Sequence, residues 1–523
     1  MNTQLKYLIF SFLVCFESLM ATSQIKISIN TDSVVNKMAA GFGMNTFAIM
    51  DSVVVLNECN GGYRSWGGSS WGATPEANDE NAWEKIESYM DWLGMDYTRL
   101  SVEHRVFEPE KGQFSFDNRE MKVLYRYLDY FEKNGVTVQL QEMYPNAKWL
   151  AHKELQSDAL GIIKSGPADI DAWSDGIIAL LKHLLYVKKY TCISYLGIAN
   201  EPHHGWSWWK NADGRTSQSI IPALTLLRSK IQMEKIQIAM TGPEEMFYFW
   251  ESQNTQKNYT LLVDAFTYHE YMTINDWWDN RESKDWNPTL KLFSEPVKAA
   301  VKIAHDNNKP FFFSEHGTMQ FGLKRDDRGP SMYAAMLKDV EFAVRFSNLG
   351  VDGFSRWSLL NRNNLDGQWG FIETYDRKNF KMLNPEKYQP KENTYYGYGM
   401  LNRYIYRKSY VVKTDISNYS PEDSIPALHV ASFISPNKTQ ATILVVNDKQ
   451  ETLNANFVIK GKNNYKKWYT YRFDYCQRNK NTVKMNPLKE TSGLKIKDKI
   501  PGMSITVFST KKLMNVDKGL VNE

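Results

Sequence analysis

The sequence predicts an α/β fold, a (β/α)8 TIM barrel followed by an antiparallel β-sandwich, and three observations support that prediction. From residue 40 to about residue 353, short apolar runs alternate with long amphipathic stretches, as in strand and helix units around a parallel sheet. This region contains eight strand-like runs, and that number favours a closed barrel over an open doubly wound sheet. Beyond about residue 409 the apolar runs are separated only by Pro, Asn, Asp and Lys turns, which is typical of a sandwich.

The predicted barrel strands cover residues 41–47, 97–102, 136–141, 193–199, 236–241, 265–269, 310–314 and 353–358. Helices between them follow from apolar side chains at helical spacing, for example over residues 82–93 and 123–131. The first of these periodic segments stops at Gly94 and the second stops before Asn134-Gly135, which are typical helix ends.

The predicted sandwich strands cover residues 411–414, 428–433, 441–446, 455–459, 468–473 and 505–509. Residues 24–29 alternate apolar and polar side chains, so we expect this segment to leave the barrel and join the sandwich. The expected organisation is a leader at 1–23, an N-terminal strand at 24–37, a barrel at 38–408, a sandwich at 409–515 and a tail at 516–523.

Composition limits the classes of function. A chain of 523 residues with 42% hydrophobic residues can bury a large core, so disorder is not its main state. The chain has 16 Trp, and such side chains suit stacking on sugar rings, although many of them will belong to the core. A net charge of +4 without a dense Lys/Arg run argues against nucleic acid as a partner. Nothing in the sequence indicates an oligomeric state.

The first residues resemble a secretory signal. Lys6 precedes an apolar stretch at 7–16, and small residues at Ala21 and Ser23 predict cleavage after Ser23. The apolar stretch is too short to span a bilayer, so we expect a secreted or periplasmic protein without a membrane span. Anchoring as a lipoprotein through Cys15 is the alternative, but Val14 stands where a small residue is usual.

The mature chain would keep three widely spaced cysteines, Cys59, Cys192 and Cys476. An odd number at these spacings does not describe a disulfide framework, although one pair remains open. The spacings also lack a zinc-type pattern, so we expect neither a metal nor an organic cofactor.

Two tripeptides place a carboxylate where a buried strand stops. Asn200-Glu201-Pro202 follows the apolar run 193–198, and Ser314-Glu315-His316 follows the run 310–313. Parallel barrel strands all end on one face, so residues just past each run converge on one pocket. Splitting a glycosidic bond requires two such carboxylates, one acid and one nucleophile or base. The sequence therefore predicts a sugar-cleaving site built on Glu201 and Glu315.

The same reasoning adds other strand ends to the predicted pocket: Arg99, Gln141, Glu142, Asn200, His269, Tyr271 and Trp357. Loops that follow the strands supply further candidates for contacts with substrate: His203, Trp206, Trp208, Trp277 and Asn361. The loop tryptophans would stack on sugars if exposed, and would only anchor the loops if packed beneath them.

These residues resemble the clan A glycoside hydrolases, in which catalytic glutamates end strands four and seven of the barrel. The resemblance implies that Glu201 is the acid/base, that Asn200 touches the sugar 2-hydroxyl and that Glu315 is the nucleophile. It also matches Arg99 to a basic residue of the second strand, His269-Glu270-Tyr271 to a His-x-Tyr motif, and Trp357 to a platform tryptophan. Residues 501–507 resemble the closing strand of the sandwich in clan members that carry one.

Each assigned role also has a physical reason. Glu315 must be ionised to attack, and Arg99 with Tyr271 would stabilise that charge. Glu201 must hold a proton, which burial and neighbouring negative charge favour. The two carboxyl groups of a retaining enzyme stand roughly 5 to 5.5 Å apart.

Other readings stay open. Arg99 could be a structural ion-pair partner. Glu142 and Glu270 are competing carboxylates, and Glu142 is the one that could replace either Glu201 or Glu315. A metal site at His203, His204 and His316 is disfavoured, because no carboxylate and histidine set at a usual spacing accompanies them.

The function that the sequence predicts is a secreted retaining glycoside hydrolase acting on a β-linked oligo- or polysaccharide. The alternatives are a non-catalytic glycan-binding protein on a barrel scaffold and a transglycosidase, which needs the same two carboxylates. The sequence indicates neither the sugar nor endo or exo action.

Overall fold

The computed structural model describes residues 24–48, 74–145, 147–157, 159–203, 209–215, 220–247, 259–274, 288–320, 330–360, 369–376, 381–417, 428–463, 465–474, 483 and 485–520. Its helices are α1 Glu80–Leu93, α2 His104–Phe107, α3 Arg119–Asn134, α4 Ala159–Lys164, α5 Ile170–Lys182, α6 Ile220–Met233, α7 Pro288–Asp306, α8 Pro330–Ser347 and α9 Glu392–Asn402.

Eight parallel strands close into a barrel, as the sequence predicts. They are β2 Gly41–Phe47, β3 Tyr97–Glu103, β4 Thr137–Tyr144, β5 Ile193–Ile198, β6 Ala239–Met246, β7 Ala265–Ile274, β8 Phe311–Gln320 and β9 Gly353–Arg356, preceded by β1 Ile25–Lys37. The order around the barrel follows the chain from β2 to β9, and β9 pairs with β2. Because the strands are parallel, their carboxyl ends meet on one face.

Four two-residue strands follow the barrel: β10 Ile372–Glu373, β11 Tyr375–Asp376, β12 Lys381–Met382 and β13 Gln389–Pro390. The remaining strands are β14 Tyr410–Ile416, β15 Leu428–Ile434, β16 Ala441–Asn447, β17 Leu453–Lys460, β18 Lys467–Asp474, β19 Lys489–Ser492, β20 Lys495–Ile500 and β21 Ser504–Ser509. With β1 they form a nine-stranded sheet in the order β19-β18-β21-β16-β15-β14-β1-β17-β20.

The N-terminal strand β1 lies inside this mostly antiparallel sheet. It pairs antiparallel with β14 and parallel with β17. Its apolar side chains, Ile27 and Ile29, are buried in the core of the sheet, together with Phe457 and Ile496. The alternation of apolar and polar residues in β1 therefore puts one face in the core and leaves the other to solvent.

Helix ends agree with local sequence signals. The Asp79 side chain accepts from the Ala82 backbone N–H and caps α1, and Asn118 caps α3 in the same way through Met121. Gly94 and Gly135 end these helices with φ of 69° and 64°, a left-handed conformation that glycine adopts without strain.

The barrel and the sheet share a buried boundary at α8. The Tyr333 hydroxyl donates to the Met503 carbonyl at 2.6 Å, and the Asn348 amide donates to the Val430 carbonyl at 2.8 Å. Both acceptors belong to the sheet region. On the barrel side, the Thr318 hydroxyl of β8 donates to Asp339 of α8 at 2.7 Å, so α8 and the residue that follows it are bonded to both parts of the fold.

Two features of the strands differ from the sequence prediction. The fifth barrel strand is predicted at 236–241, whereas β6 covers Ala239–Met246 and continues through Gly242 and Pro243. A Gly-Pro pair is a strong turn signal, which is why the sequence places the strand too early. Strands β19 and β20 are also missing from the prediction, because their sequences are mostly polar and lack apolar runs.

Two predictions made for the termini and cysteines can be placed only in part. The leader, residues 1–23, lies outside the described residues, as do Cys59 and Cys476. Cys192 is buried and forms no disulfide within the described part of the chain. In the described part of the chain, no helix is long and apolar enough to cross a membrane.

We expect Gly94→Ala to lower the free energy of unfolding by more than the backbone strain of a positive φ would by itself. A Cβ at Gly94 would lie 2.9 Å from the Cα of Gly519 in the C-terminal segment, whose backbone hydrogen-bonds to α1. Gly112 has a similar φ of 72° with nothing within 4 Å of a Cβ. The Gly112→Ala variant should therefore lose only about 1 kcal/mol, from backbone strain. Urea unfolding compares the two, and equal losses would contradict the role of the C-terminal contact.

Candidate active site

The carboxyl ends of β3, β5, β7 and β8 bring six of the predicted residues into one cluster: Arg99, Asn200, Glu201, His269, Tyr271 and Glu315. Tyr271 is partly buried and the other five members are buried; Glu201 is 7% exposed and Glu315 5% exposed. The cluster therefore lies at the carboxyl-end face of the barrel, where a barrel enzyme places its substrate.

Glu315 on β8 is held by two donors from other strands. The Arg99 Nη1 group donates to Glu315 Oε2 at 2.9 Å, and the Tyr271 hydroxyl donates to Oε1 at 2.6 Å. Burial raises the pKa of Glu315 above its ordinary value, while the cations of His269 and Arg99 oppose that rise. Each carboxylate oxygen is thus held by a different side chain, so the carboxylate has a single orientation.

A β-bulge in β8 sets the direction of Glu315. Tyr268 on β7 pairs with Phe313, and the next residue, His269, pairs with Glu315, so Ser314 is one extra residue on β8. Regular strand alternation would turn Ser314 and Glu315 to opposite faces. With the bulge, both side chains contact groups inside the barrel.

Glu201 lies in a tight turn just beyond β5. Ala199 and Glu201 have φ of 65° and 46°, a region that costs a non-glycine residue about 1 kcal/mol or more. The Glu201 N–H donates to the Glu244 carbonyl at 2.8 Å, and the Ala199 N–H donates to the Glu142 carbonyl at 3.0 Å. These two hydrogen bonds tie the turn to both neighbouring strands, which holds the strained conformation in place.

His269 connects the two sides of the cluster. Its Nδ1 is 3.0 Å from Glu201 Oε1 and its Nε2 is 3.2 Å from Glu244 Oε2. Burial acts to lower the pKa of His269, but the Glu315 charge and these two hydrogen bonds raise it to about 9. Below that pH both ring nitrogens carry a proton, and each donates to a carboxyl oxygen.

Glu244 on β6 is a member of the cluster that the sequence prediction missed. It is fully buried and receives hydrogen bonds on both oxygens. The donors are Gln139 Nε2 at 2.6 Å and Thr241 Oγ1 at 3.0 Å to Oε1, and Ser314 Oγ at 2.9 Å to Oε2; Arg99 Nε and His269 Nε2 each lie 3.2 Å from Oε2. Burial acts to raise the pKa of Glu244, but the Arg99 and His269 cations lower it to about 2. Glu244 is therefore an anion that fixes both cations of the site.

Asn45 on β2 is a second missed residue. Its side-chain oxygen accepts from Arg99 Nη1 at 3.2 Å, and its nitrogen donates to the Ser314 carbonyl at 3.1 Å and to the Ser355 hydroxyl at 3.0 Å. The sequence prediction took residues from every barrel strand except the first and the fifth, which are the strands that carry Asn45 and Glu244. Both residues could have been found from the sequence by looking for a polar residue near the end of every barrel strand.

Glu245, next to Glu244, is a different kind of carboxyl group. It accepts from the His203 backbone N–H at 2.6 Å and from the Met246 N–H at 2.8 Å. Burial and the nearby Glu201 raise the pKa of Glu245 to about 8. At neutral pH it is mostly uncharged, and it holds the start of the loop that follows Glu201.

Gln141 and Trp357 lie close to the cluster. The Gln141 amide donates to the Ala199 carbonyl at 2.6 Å, so this side chain supports the Glu201 turn from below. Trp357 is 3% exposed and packs edge-to-face on Phe47, with ring centroids 4.9 Å apart. It belongs to a small apolar cluster that also includes Tyr271.

Glu142 lies apart from the cluster. Its carboxylate receives Trp173 Nε1 at 3.1 Å and is 2.8 Å from His104 Nδ1, both on helices outside the barrel. Because side chains alternate along β4, Gln141 faces the interior and Glu142 faces the helices. Glu270 is likewise turned away from its neighbours His269 and Tyr271. These two carboxylates therefore do not stand in for Glu201 or Glu315.

Loop candidates can be placed only in part. The His203 ring nitrogen Nε2 lies 3.2 Å from the Tyr259 hydroxyl, at the edge of the site. Trp206, Trp208, Trp277 and Asn361 lie outside the described residues. The neighbouring Trp209 is fully buried edge-to-face against Trp173, so this tryptophan anchors its loop.

Two described groups have spacings that a metal ion could bridge: Glu201, His269 and Glu315, and at the boundary of barrel and sheet Glu341, His429 and Asp448. In the first group, the His269 and Arg99 cations already neutralise the carboxylates. In the second, Lys338 and Arg345 lie 3.3 and 3.6 Å from Glu341. A divalent cation would meet like charge at both places, so acid–base chemistry fits the first group better.

Comparison with known proteins identifies the fold. No protein-family model matches the chain, and no curated protein matches it in sequence. Among solved structures, an exported protein from Bacteroides fragilis aligns with a TM-score of 0.64 at 10% identity, covering 92% of this chain and 99% of that one. The catalytic domain of the glycoside hydrolase family 30 xylanase C from Talaromyces cellulolyticus aligns at 0.59 and 12%, covering 92% and 99%. An α-L-arabinofuranosidase from Thermotoga maritima aligns at 0.59 and 13%, covering 94% and 100%.

The chain shares the fold of these glycoside hydrolases. The alignments extend over the barrel and the sheet together, since they cover more than nine-tenths of both chains. At this identity the likeness concerns the fold, and activity has to be argued from the residues of the site.

We expect Glu244→Gln to change the pH dependence of the site. Removing the anion beside His269 destabilises its imidazolium form, so the pKa of His269 should fall by about one unit or more. The alkaline limb of the pH–rate profile for kcat/KM should then move to lower pH. A role confined to packing would leave that limb in place.

The same variant should also lose about 3 to 5 kcal/mol of folding free energy, because two buried cations lose their shared partner. Glu244 has its pKa lowered from 4.5 to about 2, so its contribution is complete above pH 4.5 and is lost as the pH falls toward 2. The difference in Tm between the two proteins should shrink over that range. Glu245→Gln, compared at pH 6 where that carboxyl is already uncharged, is the matched control.

Proposed function

We propose that this protein is a retaining glycoside hydrolase in which Glu315 is the nucleophile and Glu201 is the acid/base. The observation that carries the proposal is the pairing of these two carboxyls within one buried cluster. One oxygen of each lies within 4.8 Å of the other, with His269 between them. A retaining enzyme needs carboxyl groups roughly 5 to 5.5 Å apart, whereas an inverting enzyme leaves room for a water and needs about 6.5 Å or more.

The contacts of the two carboxyls differ in the way that the two roles require. Glu315 receives a guanidinium and a phenol, which stabilise its anion and orient it for attack. Glu201 receives the imidazolium of His269 on Oε1, and we assign to Glu201 the proton that passes to the leaving oxygen. With Arg99 and His269 balanced by Glu244 and Glu315, a protonated Glu201 leaves the buried cluster electrically neutral.

In the first step, a Glu315 oxygen forms a bond to the anomeric carbon while the bond to the leaving oxygen breaks. The Glu201 proton passes to that leaving oxygen. The resulting Glu201 carboxylate is stabilised by the hydrogen bond from His269.

In the second step, Glu201 takes a proton from water, and the water oxygen bonds to the anomeric carbon. The ester to Glu315 breaks and returns this residue to the carboxylate held by Arg99 and Tyr271. Two inversions at one carbon retain the anomeric configuration.

The proposed substrate is a β-linked oligo- or polysaccharide. Proteins that share the fold include a xylanase, an α-L-arabinofuranosidase and an endo-β-1,6-glucanase. Because their printed substrates differ in both sugar and linkage, the fold leaves the sugar open. Export through the leader at 1–23 belongs to the same proposal, since such polymers lie outside the cell.

A substrate screen tests this proposal. The purified protein should release nitrophenol from at least one aryl β-glycoside, or reducing ends from a plant or microbial polysaccharide. Proton NMR of the first-formed product should show the anomeric configuration of the substrate. An inverted first product would overturn the double displacement, and retained activity in a Glu201→Gln, Glu315→Gln double variant would overturn the site.

A further inference from the structure

One face of the β-sheet presents lysine and asparagine side chains on adjacent strands. The chain from residue 428 to 520 has 17 Lys and Arg against 6 Asp and Glu, whereas the whole chain has 63 against 59. Positive charge is therefore concentrated in the part of the chain that forms the sheet, and strand register shows where on the sheet it lies.

Strand β20 carries three of the lysines on one side. Lys495, Lys497 and Lys499 are exposed and alternate with the buried Ile496 and Ile500. Alternate residues of an antiparallel strand lie about 6.8 Å apart, so the three ammonium groups form a row along the strand.

The row continues across three further strands in register. Lys497 pairs with Asn456 on β17, and Asn456 pairs with Lys26 on β1. Four residues further along these strands, on the same face, Lys460 on β17 pairs with Asn30 on β1, which pairs with Lys413 on β14. Neighbouring strands are about 4.8 Å apart, so six lysines share a surface only four strands wide.

Few acidic groups lie among these lysines in the described part of the sheet. Asp415 shares the face and lies 3.7 Å from Lys413. Asp32 lies at its edge, where its carboxylate accepts the Lys462 backbone N–H at 3.1 Å. The other five lysines of the face are paired with no described carboxylate within 4.0 Å.

We propose that this lysine face binds a polyanionic glycan, a polysaccharide whose sugars carry carboxylate groups. Rows of ammonium groups attract a chain of regularly spaced anions, and the asparagine amides between them can bond to hydroxyls. The face has neither an aromatic ring for base stacking nor an arginine for bidentate phosphate binding, both of which nucleic-acid surfaces favour. The choice of a glycan rests in part on the proposed glycosidase function.

Binding to alginate, a polymer of uronic acids, tests the inference, with dextran as the neutral probe. The protein carries Glu315→Gln throughout, so that the result does not depend on whether the cleft is catalytic. Affinity electrophoresis at low salt should show retardation by alginate and none by dextran. Added NaCl should weaken the binding, because it screens exposed charge.

The variant Lys495→Gln, Lys497→Gln, Lys499→Gln should lose about tenfold or more of the alginate affinity. The matched control Lys122→Gln, Lys133→Gln, Lys302→Gln changes the same charge at exposed positions of α3 and α7 and should stay within about twofold. An equal loss in both, or no alginate binding, would overturn the inference. Displacement of alginate by double-stranded DNA at equal charge concentration would also overturn it, in favour of nucleic acid.

Discussion

Glu315→Gln is expected to abolish turnover, with a loss of roughly 10⁴-fold or more in kcat. The amide keeps the shape of the side chain and can still accept from Arg99 or Tyr271, but it cannot form the glycosyl ester. Steady-state kinetics on the aryl glycoside that the wild-type protein cleaves give the measurement. Circular dichroism and thermal melting establish that the variant folds.

The control for this prediction is Glu142→Gln. Both residues are buried carboxylates on barrel strands, but Glu142 is bonded to His104 and Trp173 outside the barrel. Its amide variant should keep near wild-type kcat, with any change confined to stability. The reverse pattern, an inactive Glu142→Gln beside an active Glu315→Gln, would show that the nucleophile is misassigned.

Glu201→Ala should lose roughly 10² to 10⁴-fold with an unactivated substrate, because the leaving oxygen then departs without a proton. An aryl glycoside with an acidic phenol needs no such help, so its first step should stay fast and the glycosyl ester on Glu315 should accumulate. Azide fits the space that the side chain vacates and should restore turnover in the second step. The glycosyl azide should have the anomeric configuration of the substrate.

The configuration of that azide separates the two roles. If Glu201 were the nucleophile, azide would attack the substrate directly in the Glu201→Ala variant, and a single displacement would invert the anomeric carbon. NMR of the azide product therefore distinguishes an exchanged assignment from a correct one. Mass spectrometry of the protein during the burst should also show one sugar added, and peptide analysis should place it on Glu315.

Much of the barrel could be predicted because each strand is a compact apolar run. The pair of carboxylates could also be predicted, because Glu201 and Glu315 directly follow such runs. Strand β6 was harder to place, since Gly242 and Pro243 interrupt it in a way that resembles a turn. The predicted strand begins three residues too early and ends five residues too early. Glu244 lies in the part of β6 that the prediction left out, so it was not recognised as a site residue.

Side-chain direction was the second limit. Gln141 and Glu142 are adjacent in sequence and both were predicted to contact substrate, but alternation along β4 sends them to opposite sides of the strand. Sequence alone does not reveal which of two neighbours faces inward, because a bulge elsewhere in the strand can reverse the alternation. The lysine face could not be predicted for a related reason. Its residues belong to strands that are far apart in the chain, and only the pairing register of the sheet places them side by side.

The bulge at Ser314 lets two successive side chains of β8 face the barrel interior, where regular alternation would allow one. A chain shortened by that serine would return β8 to strict alternation and keep Glu315 facing inward, but Glu244 would lose the serine hydroxyl as a donor. A chain of unchanged length in which β8 lacked the bulge would instead turn Glu315 toward the surrounding helices, where His316 now stacks on Phe342. Alignments that score residues one by one would rate that second chain as intact, although only one of the two acids would face the barrel interior.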